Sequence, residues 1–296
     1  MKIFAVADIH IEGKNKKIAY ELPLMLYKRL KTLNEEGVFI IVGDITPYIS
    51  SFHNYLSLFK DLPVTKLFVA GNHDIWVNEG GDSYLKYMDT LKDAVLSADF
   101  HYLDLEPLVI GKIGFIGNMG WYDYSFRQLN IYTPPHIKLL RKNGNYISWE
   151  DLTCSDYAIK ALYADIHGKV KMITSWNDRI YIRWRFSDLE FTESCLEKIK
   201  GDFNSIEERV EKIVFISHHI HFYEGVIQKK TPEWDFNNAF MGSKAIGDFV
   251  KSKHKVSLII FGHSHVPGRW LIDGRIPAYN SPLLINNDSG FLEIDV

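Results

Sequence analysis

The sequence predicts an α/β protein, and three observations carry that expectation. Apolar, β-branched runs recur along the chain, a short polar motif follows most of them, and segments with helical hydrophobic spacing lie between several of them. The runs are Ile3-Phe4-Ala5-Val6-Ala7, Val38-Phe39-Ile40-Ile41-Val42, Leu67-Phe68-Val69-Ala70, Ile213-Val214-Phe215-Ile216 and Leu258-Ile259-Ile260-Phe261. Each reads as a buried strand.

The intervening elements follow in order. Residues 21–36 place Leu22, Met25, Leu26, Leu30 and Leu33 at helical spacing, and Gly37 ends the run. Residues 52–60 form a shorter helix candidate closed by Pro63. Residues 83–94 place Tyr84, Met88 and Leu91 at helical spacing. Two strand-like stretches, 103–110 and 112–117, flank Gly111 and suggest a hairpin. The stretch 119–211 then interrupts the pattern. It holds Trp121, Trp149, Trp176 and Trp184, with helix candidates at 149–167 and 188–202. No Gly/Ser-rich or Pro-rich linker bounds it, so it reads as an insertion or lid within a single domain spanning 1–296.

Composition narrows the function classes. The formal net charge is −3, so no global basic field attracts nucleic acid or an anionic membrane. The basic runs at 14–17 and 251–255 read as solvated faces. Cys154 and Cys195 have no metal-ligand spacing and read as reduced structural thiols. The first strand begins at Lys2, and no apolar run approaches the roughly 18 residues of a membrane span. The expectation is a cytoplasmic protein with no membrane partner.

The polar motifs carry the chemistry. They are Asp8-Ile9-His10, Gly43-Asp44, Gly71-Asn72-His73-Asp74, His218 and Gly262-His263-Ser264-His265. Asp, Asn and His bind hard-to-borderline divalent metals through O and N. Alone, each motif is weak: Gly-Asp is a common turn, and Asp-x-His is usually a cap or a surface pair. Gly-His-Ser-His is stronger, because histidines at i and i+2 after a strand can bind two separate ions. The conjunction decides. All five blocks occur in order at strand ends, where open α/β sheets build their sites.

These blocks resemble the calcineurin-like metallophosphoesterase superfamily, whose pattern runs D-x-H, G-D, G-N-H-[D/E], H, G-H-x-H. The resemblance implies a four-layer α/β/β/α sandwich of two mixed β-sheets flanked by helices. It implies two divalent ions, with Mn, Fe, Zn, Co or Ni all compatible with such ligands. One ion would take Asp8, His10, Asp44 and His265. The other would take Asp44, Asn72, His218 and His263, with Asp44 bridging. His218 opens the run His218-His219-Ile220-His221. The family's ligand is the first histidine after the strand, and His219 is the alternative. Two ions roughly 3.5–4 Å apart would share a hydroxide that attacks phosphorus. His73 would support the transition state or protonate the leaving oxygen, with Asp74 orienting its imidazole. A turn or cap is the other reading of Asp74.

The substrate is narrowed by what is missing. The phosphoprotein phosphatases of the superfamily carry an Arg after Gly-Asp, but here the run is Gly43-Asp44-Ile45-Thr46-Pro47-Tyr48. The metal-binding Tyr of purple acid phosphatases is replaced by Pro47. Repair nucleases engage duplex DNA through basic surfaces that this composition does not suggest. The blocks look most like phosphoesterases of the cyclic-nucleotide phosphodiesterase type, so a small phosphodiester or nucleotide is the expected substrate. A phosphomonoesterase, a nuclease and a catalytically silent scaffold are the alternatives. In the segment 120–127, Trp121 or Tyr122 could stack on a base and Arg127 could bind phosphate. Packing onto the core is the competing role for these aromatics. Asn177-Asp178-Arg179 is a second polar candidate.

Overall fold

The computed structural model describes residues 1–11, 16–32, 37–127, 137–141, 146–148, 158–164, 170–229, 234, 237–280 and 291–296. In chain order the strands are β1 Lys2–Val6, β2 Gly37–Val42, β3 Thr65–Val69, β4 His101–Tyr102, β5 Leu108–Ile110 and β6 Ile113–Asn118. They continue as β7 Ile137–Arg141, β8 Tyr146–Ser148, β9 Ala158–Ala164, β10 Val170–Ser175 and β11 Lys212–Ser217. The last four are β12 Val256–Phe261, β13 Gly268–Ile272, β14 Ile276–Asn280 and β15 Leu292–Asp295.

Two mixed sheets form the body. One has the order β15-β1-β2-β3-β4, with β1 to β4 parallel and β15 antiparallel at the edge. The other has the order β13-β14-β12-β11-β6-β5, with parallel central strands and antiparallel edges. Side chains alternate across a strand, and that alternation builds two cores. Ile3, Ala5, Val38, Ile40, Leu67 and Val69 meet Phe115, Val214, Ile216, Leu258 and Ile260 between the sheets. The opposite faces, including Phe4, Phe39, Phe68, Phe215, Ile259 and Phe261, join a second apolar cluster with residues of the helices. That is why the central runs are apolar throughout: both faces are covered.

The helices differ in detail from the sequence expectation. The first spans Lys16–Lys31, so Gly37 begins β2 rather than ending the helix, while residues 33–36 lie outside the described set. The second runs Ile49–Ser57. Residues 83–97 combine an α turn Ser83–Leu85, a π-helical turn Lys86–Thr90 and the α-helix Leu91–Ser97. The hairpin about Gly111 forms from β5 and β6, whereas residues 103–105 make a turn. Helix Asp188–Ile206 starts at a capping box in which Ser187 and Glu190 satisfy each other's backbone N–H groups. A last helix spans Lys244–Ser252.

The stretch 119–211 is not uniform. Residues within 137–175 form a separate four-stranded sheet in the order β10-β9-β7-β8. The helix expected over 149–167 is corrected there, because 158–164 is strand β9. Trp149 and Cys154 lie outside the described residues, as do Lys14 and Asn15. Residues 121–126 and the helix Asp188–Ile206 contribute to the main core. Among the described residues no helix is long and apolar enough to cross a membrane.

Candidate metal centre

The seven expected ligands stand at the carboxyl ends of five parallel strands. Asp8 and His10 follow β1, Asp44 follows β2, Asn72 follows β3, His218 follows β11, and His263 and His265 follow β12. The loops are laced together. Asp8 N–H donates to the Gly43 carbonyl, His10 N–H to that of Asp44, and Gly262 N–H to that of His218. The two sheets are joined where His263 N–H donates to Asp8 Oδ1 at 2.9 Å and His218 Nδ1 meets the Val42 carbonyl at 2.9 Å.

The local backbone is unusual. Asp8, His10, Asp44, His263 and His265 all have φ between 46° and 72°. That region disfavours side chains with a Cβ, at a cost of roughly 1–3 kcal/mol each. Gly43 is also left-handed, and a Cβ there would run into the Gly71 backbone; a Cβ on Gly71 would collide with the Asp44 carboxylate. Both glycines permit the close approach of the second and third blocks.

Two overlapping groups of side chains result. Asp8, His10, Asp44 and His265 bring ligand atoms within 4.8 Å of one another, as do Asp44, His218 and His263. Asn72 Oδ1 joins the second group, 3.1 Å from His218 Nε2 and 3.1 Å from His263 Nδ1. Those two nitrogens are 3.3 Å apart. A carbonyl only accepts, so the Val42 carbonyl places the His218 proton on Nδ1 and leaves the Nε2 lone pair facing Asn72. In His263 the roles reverse: Nε2 meets the Phe240 carbonyl at 3.1 Å, and the Nδ1 lone pair faces inward. Asn72 donates its amide to Asp178 Oδ1 at 2.8 Å, which turns its oxygen toward both histidines. Three acceptors therefore face one another, and a divalent cation satisfies them together. Asp8 Oδ2 adds a buried carboxylate oxygen with no hydrogen-bond partner among the described residues.

The electrostatics agree with this. Burial would raise the Asp44 pKa, but His218, His73 and His10 hold it well below the usual carboxylate range. Burial depresses His218, yet Asp44 and Asp8 override it and draw it up to about 10. A proton and a metal ion thus compete for the same lone pair. His219 lies outside the cluster. Its Nδ1 meets the Met119 carbonyl at 3.1 Å, so of the two histidines only His218 faces Asp44 and Asn72.

Four of the expected site residues make other contacts or lie away from the cleft. Asp74 is engaged by backbone N–H groups of the second and third loops. Its two oxygens accept N–H bonds from Asp44, Ile45, Thr46 and Gly71 at 2.7 to 3.1 Å, filling the acceptor sites of a carboxylate. It fixes the second and third loops. Trp121 is fully buried, stacked on Tyr122, with its indole N–H donated to Asp188. Tyr122 is buried too, and its hydroxyl donates to Asp178 at 3.4 Å. Neither ring lines the cleft at the cluster. Arg127 is not among the residues that line the cleft at the cluster.

The cleft has a volume of about 250 Å³. Its aromatic walls are Trp76, Trp176 and Trp234, with His73 beside them. Asp178, from the second polar candidate, is the residue that sequence reasoning ranked too low. It is buried and accepts bonds from Asn72, Trp76, Trp176 and Tyr122. Trp76 lies only two residues beyond Asp74, yet nothing in its sequence position marks it. Its ring stacks on His73 with centroids 3.6 Å apart.

No curated protein matches the chain in sequence. Solved structures share its architecture. Phosphopantetheinyl hydrolase from Mycobacterium tuberculosis, 14% identical, aligns over 99% of this chain and 95% of that one with a TM-score of 0.68. A dimetal phosphatase from Danio rerio, also 14% identical, aligns over 99% and 91% with a TM-score of 0.53. At such identity these likenesses speak for the fold. The family model described as calcineurin-like phosphoesterase matches residues 1–267, a span that carries all five blocks. The chain belongs to the calcineurin-like phosphoesterases, a family of dinuclear-metal-dependent phosphoester hydrolases.

Proposed function

We propose that the chain hydrolyses a small phosphodiester or nucleotide with two divalent ions. Asp8, His10, Asp44 and His265 would hold one, and Asp44, Asn72, His218 and His263 the other. The observation that carries this reading is the facing set of acceptors at Asn72, His218 and His263, each turned inward by its own outer partner. Such an O and N donor set accepts Mn, Fe, Zn, Co or Ni. When bound, the ions supply Lewis acidity at the phosphoryl oxygens and a hydroxide nucleophile near neutral pH.

The chain's own residues do the rest. Asp44 Oδ1 accepts the His73 N–H at 2.9 Å, which leaves Oδ2 facing His10 at 3.5 Å and His218 at 3.3 Å. His73 is half-buried, edge-on to His10 and stacked on Trp76. From there it would donate a proton to the leaving oxygen or a hydrogen bond to the phosphoryl group. A base or other flat group would stack on Trp176 or Trp234, the rings that take the place expected for Trp121 and Tyr122.

The test is metal-free protein reconstituted with each of the five metals and assayed on bis-p-nitrophenyl phosphate and p-nitrophenyl phosphate. Metal-dependent turnover, faster on the diester, is expected. Silence with every metal would refute the hydrolytic reading, and a preference for the monoester would refute the diester assignment. His73→Ala should keep both ions and lose about a hundredfold in turnover of an alkyl ester, the scale of a missing general acid. The loss should be smaller for nitrophenyl esters, whose leaving group needs no proton. Equal losses would assign His73 to charge stabilisation.

A further inference from the structure

The ring stack at His73 does not stop at Trp76. Trp76 stacks in turn on Tyr181, with centroids 4.7 Å apart, and leads out of the metal cleft. It lines both the cleft and a second concavity of about 500 Å³. That volume lies in the range of small-molecule sites. Its walls include Tyr48, Ile49, Leu85 and Tyr181, which are 58%, 37%, 56% and 37% exposed. Single exposed apolar side chains are ordinary, but four gathered in one concavity beside a reaction centre mark a binding surface.

The groove is preformed and offers no cation to an anionic ligand. Lys86 is its one basic residue among the described lining, and it is turned inward. Its Nζ donates to the Pro47 carbonyl at 2.6 Å and to the Trp76 carbonyl at 2.8 Å. The same bridge ties the 47–49 wall to Trp76. Asp82 is committed at the helix start, where its Oδ1 accepts the N–H groups of Tyr84 and Leu85. The π-helical turn Lys86–Thr90 forms part of this wall, and π turns concentrate at functional sites.

We infer that this groove is a second subsite, which takes an uncharged apolar arm of the phosphoester, an alkyl or aryl group attached through oxygen to the phosphorus held in the cleft. The inference rests on the hydrolytic reading of the cleft and adds the substrate class. The cleft alone is small, so a substrate larger than a phosphoryl group with modest substituents must extend beyond it. Trp76 lines both spaces, so an arm that leaves the cleft beside it meets the exposed apolar side chains of the groove.

The test uses manganese-loaded full-length protein and p-nitrophenyl phosphodiesters whose second ester group lengthens from methyl to hexyl. Burying the added methylenes is favourable, so kcat/KM should rise by about tenfold or more along the series. In Leu85→Lys and Ile49→Lys, both at exposed positions, the hexyl-to-methyl ratio should fall to about twofold or less. Melting curves on the variants check folding. A native ratio near one would overturn the groove as a subsite, and a steep ratio that survives both variants would overturn its location. Calorimetry with hexylphosphonate and methylphosphonate separates this inference from the hydrolytic reading. Tighter binding of the hexyl compound that Leu85→Lys removes would uphold the groove even if no ester were hydrolysed. Equal binding of the two would count against it.

Discussion

The two halves of the candidate metal centre are built differently. Asn72, His218 and His263 are buried, and each is held by an outer partner: Asp178, the Val42 carbonyl and the Phe240 carbonyl. Asp8, His10 and His265 form the half that opens to solvent, where the His265 side chain is 54% exposed and its Nε2 lies 3.0 Å from that of His10. Asp44 belongs to both. Outer partners fix a ligand's tautomer and orientation before an ion arrives, so less ordering remains to oppose binding. An open half keeps coordination positions for an exchanging ligand. On the proposed assignment, the enclosed half would hold its ion tightly and the open half would exchange its ion.

The largest expected effect comes from breaking the buried half. His218→Ala should remove the tighter ion and lower turnover by at least about a thousandfold, corresponding to several kcal/mol of lost Lewis-acid stabilisation. Excess metal should not restore it. Elemental analysis together with a metal-titrated assay checks both statements, and full activity at high metal would equate the two halves.

The open half should behave otherwise. His265→Ala should raise the metal concentration for half-maximal activity by about a hundredfold, with the rate largely recovered in excess metal. A loss that excess metal cannot recover would erase the contrast between the halves.

The smallest effect should come from Asp178→Asn, which removes an outer partner without touching a ligand position. Its carboxylate accepts four donors through two oxygens, and an amide presents only one oxygen to them. Metal affinity in the buried half should fall about tenfold, with a lower melting temperature in the metal-free protein. Unchanged affinity would mean that Asn72 needs no support from Asp178.

Much of this was legible in the sequence, and the exceptions have physical causes. The central strands were readable because both faces of each sheet are covered, which makes their runs apolar throughout. The polar blocks were readable because they sit immediately after those runs, and the fold gathers them into candidate ligand groups. Residues 158–164 were misread because Ile159, Leu162 and Tyr163 fall at helical spacing among alanines. Pairing of β9 with β7 and β10 overrides that local preference. Trp121 was ambiguous because a buried aromatic and one lining a site look alike in sequence; its bond to Asp188, 67 residues away, settles its place in the core. Asp74 adjoins His73 in sequence, but the 3-10 turn His73–Ile75 accompanies a carboxylate aimed at backbone N–H groups of the second block. The left-handed backbone at five of the seven candidate ligand positions leaves no residue-type signal at all, since Asp and His stand where glycine would be easiest.

The central claim is that one carboxylate joins an enclosed half to an open one. Calorimetric titration of metal-free protein with manganese, in the native chain and in Asp44→Ala, tests it most directly. The native protein should bind two ions in separable events of unequal affinity, and Asp44→Ala should lose both. A native chain that binds a single ion, or an Asp44→Ala variant that retains two stoichiometric ions, would contradict the account.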